Sequence, residues 1–292
     1  MNEQEIPTET VEAAPVSEPS APVPDPSTPV PAAKKRDIQG TLILMAGIGA
    51  LVWGLISALG TGWGFWDYTS GLKGVTWAFF VALGAILLGA LFGWRAKKAI
   101  IPQPRKRRWA GMLAGLVYAG WVGTFLMAAL TVPAIHDIST DLADPPAFRT
   151  LALRTDNLDA VPGMDDADMK GMSPQQRWVV IHQKEYGDIR SVRINEPVPS
   201  VIAKAERLAA ARGWDVAVSL PEEGRIEATE TSALFRFKDD IVLRVKPTDT
   251  GEGSIVDMRS VSRVGASDLG VNAKRVRSFL ADLSGTVTAV PQ

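Results

Sequence analysis

Residues 109–145 read WAGMLAGLVYAGWVGTFLMAALTVPAIHDISTDLADP, and the change of character inside this stretch decides the fold. From Trp109 to Ile135 there is no charge, and the segment exceeds the roughly 20 apolar residues that a helix needs to cross a bilayer core. From His136 onward the chain is mixed and polar. Upstream, Thr41 to Trp66 and Val75 to Trp94 are also uncharged. The reading is a membrane anchor over residues 39–135, with three α-helices at about 41–62, 75–94 and 109–132, followed by one extramembrane domain over residues 136–292.

Residues 1–38 form a separate tail. Up to residue 33 it holds six acids, no base and eight prolines, so it buries too little apolar surface to offset its ordering entropy and is expected to be disordered. It is not a signal peptide, because bases and an apolar core begin only at Lys34. The net charge of −1 sums parts that face different solvents.

Basic residues give the orientation. Lys34, Lys35 and Arg36 precede the first span. Only Lys73 lies between spans one and two, whereas Arg95, Lys97, Lys98, Arg105, Lys106, Arg107 and Arg108 lie between spans two and three. Short loops rich in Lys and Arg stay cytoplasmic. The N-terminus is therefore expected inside and the domain outside, which in a Gram-negative bacterium means an inner-membrane protein with a periplasmic domain. Topology accounts for the basic loop, so the expected partner is the lipid bilayer and not nucleic acid. Trp63, Phe65, Trp66, Tyr68 and Trp77 mark the outer boundary, and Trp94 and Trp109 the inner one. Gly89-xxx-Gly93 and Gly111-xxx-Gly115 suit close helix contact, within the bundle or between copies. No ionisable residue lies deep in a span, which argues against transport.

The chain has no cysteine, which excludes thiol catalysis, disulfides and cysteine metal sites. No G-x-S-x-G, P-loop, Rossmann fingerprint or H-E-x-x-H occurs, so no catalytic residue, cofactor or metal is assigned.

In the domain, residues 133–176 read as a proline-punctuated, acidic lead-in. Ser173, Pro174 and Gln176 predict a capping box and a helix from Pro174 to Tyr186. A second helix is predicted from Pro199 to Arg212, closed by Gly213. Period-two patterning then predicts strands over Trp214–Leu220, Arg225–Phe237, Ile241–Lys246 and Ser254–Val264, with turns at Glu223-Gly224, Asp239-Asp240 and Asp249–Gly253. A last helix is predicted with Ser267 as cap and Leu269, Ala273, Val276, Leu280 and Leu283 on one face. The class is α+β, an antiparallel sheet of four or five strands with helices packed on one face. A soluble fragment cut near Ala143 is expected to fold alone.

Three polar features invite function. The junction Asp257-Met-Arg-Ser-Val-Ser-Arg-Val-Gly-Ala-Ser-Asp268 places Arg259, Ser262, Arg263 and Ser267 where an anion would sit at a helix start. The competing reading is a cross-strand ion-pair ladder, with Arg244 and Arg259 meeting Asp240, Asp257 or Glu227. The loop holding Met164, Met169 and Met172 offers thioethers of the kind that bind Cu(I), with His182 nearby; the simpler reading is a linker whose methionines cover apolar surface. His136 and Asp137 are adjacent, but sequence neighbours do not face each other, so anchoring beside the membrane is expected rather than base chemistry.

Several of these residues resemble a known family. His136-Asp-Ile138 with Asp141, Pro145-Pro-Ala-Phe148, Tyr186-Gly-Asp-Ile189, Ile226-Glu-Ala-Thr229, Asp239-Asp240 and Arg244 are similar to the family called domain of unknown function 1499. The densest likeness is Asp257 to Gly265, followed by Ser267-Asp-Leu-Gly-Val-Asn272 and Arg275. It covers roughly residues 134–284. Members often carry proline where Gly187 stands and a shorter loop than 154–172, so the methionine loop falls outside what the resemblance implies. The likeness implies the domain and brings no activity.

The expected function is therefore non-catalytic, a binding or cell-envelope support role toward an envelope protein or an anionic or amphiphilic ligand. The alternatives are a small-amphiphile carrier, which needs a pocket between sheet and last helix, and an enzyme acting on an anionic envelope substrate.

Overall fold

The computed structural model describes residues 37–97 and 105–285; the acidic tail and its expected disorder lie outside them. Three helices, α1 (Ile38–Gly62), α2 (Tyr68–Lys97) and α3 (Lys106–Thr131), are each long and apolar enough to cross a membrane. The second starts at Tyr68 rather than near Val75, because Asp67 Oδ1 accepts from the N–H groups of Thr69 and Ser70 and caps the first turn. Lys73, read as a loop residue, is therefore helical. The glycines serve contact within the bundle: a methyl at Gly47 would strike the Gly111 carbonyl, and one at Gly89 would strike Met112.

The domain follows as β1 (Asp137–Ser139), α4 (Pro174–Tyr186), β2 (Val192–Ile194), α5 (Val198–Ala211), β3 (Asp215–Leu220), β4 (Arg225–Thr231), β5 (Lys238–Pro247), β6 (Ser254–Ser262) and α6 (Val271–Ser284). The sheet is antiparallel, in the order β1-β6-β5-β4-β3, and β2 pairs with the other end of β6. The α+β class with helices over an antiparallel sheet is as the patterning predicts. The sheet gains its extra strands from β1 and β2, each three residues long and too short to show alternation.

Local differences have physical causes. The Ser173 capping box forms, and α4 runs from Pro174 to Tyr186. Asp239-Asp240 is not a turn but lies inside β5, because the two carboxylates point to opposite faces and each meets an arginine, Arg275 and Arg263 respectively. The connection falls instead at Ser232–Phe237, closed by the Ser232 N–H to Phe237 oxygen bond at 2.8 Å. Ser267 does not cap α6. That helix starts later, at Val271, with Asp268 accepting from the Gly270 and Asn272 N–H groups.

Register sorts the sheet into two unlike faces. Ile226, Ala228, Ile241, Leu243, Val256 and Met258 share one face and join α5 and α6 in a single core. Trp178 and Phe279 are buried there too, and Trp214 stacks on Phe279 with ring centres 4.8 Å apart. The other face carries Arg225, Glu227, Thr229, Asp240, Arg244, Asp257 and Arg259. Helix α4 closes the exposed edge of β1: Trp178 Nε1 donates to the Asp137 oxygen at 2.7 Å, and the Ser139 N–H donates to His182 Nε2 at 3.2 Å.

This arrangement bears on where an independently folding fragment can begin. A fragment starting at Asp144 loses β1 and leaves the largely buried Arg259 without Asp137, a loss of about 3–5 kcal/mol. A fragment starting at Ala134 is expected to melt in one cooperative transition, and one starting at Asp144 to melt much lower or without cooperativity. Equal melting temperatures would show that β1 adds nothing.

Candidate functional site

The polar face of the sheet is built around carboxylates that the folded chain neutralises itself. Glu227, in the middle of β4, is fully buried. Its two oxygens accept from three successive backbone N–H groups, Arg149 at 2.9 Å, Thr150 at 3.0 Å and Leu151 at 2.7 Å, and from Arg225 Nη1 at 2.5 Å. Successive amides aimed at one point form an anion nest, and here the anion is the chain's own carboxylate. Burial alone would raise the Glu227 pKa. The amides of Leu151, Arg149 and Thr150 and the Arg225 guanidinium outweigh it and hold the carboxyl below its ordinary value.

The same pattern repeats along β5 and β6. Arg259 grips Asp137 through Nε at 2.9 Å and Nη2 at 2.6 Å. Asn157 holds Asp137 as well, at 2.5 Å. Arg244 donates to Asp257 through Nε and Nη2 and reaches Asp141 and Asp144 in the lead-in. Arg263 donates to both oxygens of Asp240 at 2.8 Å. The lead-in from residue 141 to 157 thus lies over the charged face and is tied to it by side chains and backbone together.

The four junction residues do not converge on one point. Arg259 and Arg263 share the polar face, each bidentate to a buried carboxylate, and the Arg263 side chain is 41% exposed. Ser262 faces the opposite way and accepts from Asn272 Nδ2 at 3.0 Å, within a buried cluster that joins Ser260, Asn272 and Arg275. Ser267 accepts from the Leu269 N–H within its own turn. Of the expected ladder pairs, Arg244–Asp257 forms. Arg259 takes Asp137, Asp240 takes Arg263, and Glu227 takes Arg225.

His136 and Asp137 form no dyad. His136 Nδ1 lies 3.3 Å from the Ala266 oxygen and its Nε2 3.3 Å from Arg154 Nη1. His182 is buried beneath β1, and burial, chiefly, lowers its pKa to about 4. The neutral ring leaves Nε2 free to accept from Ser139 and unavailable to the methionine loop. In that loop Met169 packs against the core and Met164 is exposed.

One cleft opens on the charged face. It has a volume of about 380 Å³ and lies between the lead-in at Pro145–Arg149 and the Arg225, Arg244 and Lys246 side of the hairpin. The Arg149 guanidinium has no hydrogen bond or ion pair among the described residues, and Arg225 Nε is buried without a partner. On the opposite face, the layer between the sheet and α6 is filled by Ile241, Met258, Val276, Phe279 and Leu283, all within 2% of full burial.

Residues 137–283, just over half of the 292-residue chain, match the family described as "Protein of unknown function (DUF1499)". The chain belongs to the DUF1499 family. No curated protein matches it. The matched DUF1499 region begins at Asp137, which holds Arg259, and ends at Leu283, the last buried residue of α6.

Sequence reading missed Asp137 and Arg225 as members of the polar centre. Asp137 lies in a strand too short to declare its face, and Arg225 follows a turn; local spacing reports neither the Arg259 that Asp137 meets nor the Thr150 hydroxyl that Arg225 reaches beside Glu227.

Removing the carboxylate in Glu227→Ala leaves three amides without an acceptor and takes from Arg225 its buried partner, leaving it only Glu223 and Thr150, and is expected to cost about 3–5 kcal/mol, read from the denaturant midpoint. The His182 contribution has a definite sign. Its folded pKa lies below the unfolded 6.5, so its stabilisation is complete above about pH 6.5 and is lost as pH falls through about 4. His182→Gln supplies an amide acceptor that does not titrate. The fall in melting temperature between pH 6.5 and 4 is expected to be smaller in this variant than in the wild type.

Proposed function

We propose that this chain is an inner-membrane protein with a cytoplasmic N-terminus whose DUF1499 domain lies in the periplasm and serves a binding or envelope-support role without catalysis. Seven basic residues between the second and third apolar segments, against Lys73 alone between the first two, support that orientation. The observation that carries the non-catalytic reading is the self-pairing of the polar face. Arg244, Arg259 and Arg263 each hold a carboxylate through two donors, and a substrate anion would have to displace a buried partner. This weighs against an enzyme that uses these arginines on an anionic substrate. The filled layer under α6 weighs against an amphiphile carrier. The solvent-open cleft beside Arg149 is the surface that suits an envelope partner.

Two measurements test the reading. A reporter fused after Gln292 is expected to be active only in a form that requires export; activity of a cytoplasm-only reporter there would reverse the orientation. In cells lacking the protein, Arg263→Met is expected to support function in proportion to the folded protein that accumulates. Full folding with function abolished would return Arg263 to the role of a ligand-binding or reacting group.

A further inference from the structure

The hairpin tip between β4 and β5 carries an inference that does not depend on the compartment or on the non-catalytic reading, only on α1 and α2 crossing the membrane. The tip reads Leu234-Phe-Arg-Phe-Lys238. It is seated on the ends of the transmembrane helices. The Phe237 ring lies edge-on to Tyr68, the first residue of α2, with centroids 6.1 Å apart. At Gly62, the last residue of α1, an added methyl would come within 2.6 Å of the Leu234 oxygen and 2.7 Å of Arg236 Cγ. The chain between these helix ends carries Trp63 and Phe65, 68% and 72% exposed, which are rings of the kind that settle at the headgroup level. The tip therefore sits at the depth where the bilayer meets water.

Its side chains suit that place. Phe235 and Phe237 stack with centroids 5.0 Å apart, giving a compact apolar knob only partly covered by protein. Arg236 and Lys238 are exposed, and neither has an ion pair among the described residues, in contrast to Arg225, Arg244, Arg259 and Arg263 on the same sheet. Arg236 also holds φ at 55°, a left-handed conformation that side chains other than Gly, Asn and Asp rarely adopt. An arginine is a costly choice there for a turn alone, and the conformation is one of those that concentrate at ligand contacts.

We propose that the tip is a lipid-binding site: Arg236 and Lys238 hold the phosphates of anionic lipids, and Leu234, Phe235 and Phe237 rest against the top of the acyl chains. An exposed guanidinium and an exposed ammonium two residues apart match phosphate oxygens, and each cation near an anionic surface contributes roughly fivefold in affinity. The site fixes the tilt of the domain over the membrane, which the single connection between α3 and β1 would leave open.

The absence of cysteine makes the test direct. Full-length protein carrying Phe235→Cys or, as a control, Thr250→Cys in the turn at the opposite end of β5 is labelled with an environment-sensitive dye. It is then placed in nanodiscs containing lipids with a nitroxide near the top of the acyl chain. The expected result is strong quenching at position 235 and little at 250. It should be severalfold stronger when the nitroxide lipid is a phosphatidylglycerol than when it is a phosphatidylcholine. Arg236→Asn, which tolerates the left-handed backbone, combined with Lys238→Gln is expected to bring that ratio to near one while quenching persists. Quenching at 235 no greater than at 250 would overturn the seating of the tip. Equal quenching by both lipids in the otherwise unaltered protein would overturn the phosphate site. A ratio unchanged in the double variant would take the site away from Arg236 and Lys238.

Discussion

Glu227 is a carboxylate with no solvent contact in the middle of a β-strand, and the rest of the domain is arranged so that this is tolerable. Desolvating an isolated carboxylate costs many kcal/mol, so it must be met by donors held in place before it arrives. Three consecutive amides and one guanidinium do this. The amides belong to the lead-in, which has no regular structure between β1 and α4; Leu142, Leu158, Val161 and Met169 pack against the core, whereas residues 149–151 lie on the polar face. The buried charge thus performs in the polar layer what apolar burial performs under α5 and α6. It fixes one path for an otherwise irregular segment.

The neighbouring pairs extend that logic outward. Asp137, Asp141 and Asp144 bring the start of the domain onto Arg259 and Arg244, and Asp240 takes Arg263. Removing either member of a buried pair strands the other, so these positions are coupled and substitutions at them are not expected to add. The sheet then has three sides with different tasks. One is apolar and filled, one is charged and roofed by the lead-in, and the end at Phe237 abuts Tyr68 at the start of α2.

Much of this was legible. Uncharged length reveals the three long apolar helices, and the capping box at Ser173 reveals the start of α4. Alternation in 225–231 and 254–262 reveals the long strands and also which residues share a face. What failed were features whose cause lies far away in sequence. Asp239-Asp240 has the local chemistry of a turn and becomes strand only because Arg275 and Arg263 stand on either side of it. β1 is three residues long, and what defines it is its pairing with β6 more than a hundred residues later. The junction that looked like an anion site has the right residue types, yet Ser262 turns inward and both arginines have carboxylate partners. Asp137, Glu227, Arg244, Asp257, Arg259, Asn272 and Arg275, all among the residues of the family likeness, are members of these two polar networks. The signature records how the domain is held together.

The central claim is that the lead-in is locked by the Glu227 carboxylate, and amide hydrogen exchange tests it at the atoms concerned. The Arg149, Thr150 and Leu151 N–H groups lie in a segment without helix or strand, where exchange is ordinarily fast. If Glu227 holds them, they exchange as slowly as the amides of β5 and β6 and open only with global unfolding. Exchange at the rate of the exposed turn at Thr250 would mean that the lead-in rests loosely on the sheet and that the buried carboxylate does not organise the fold.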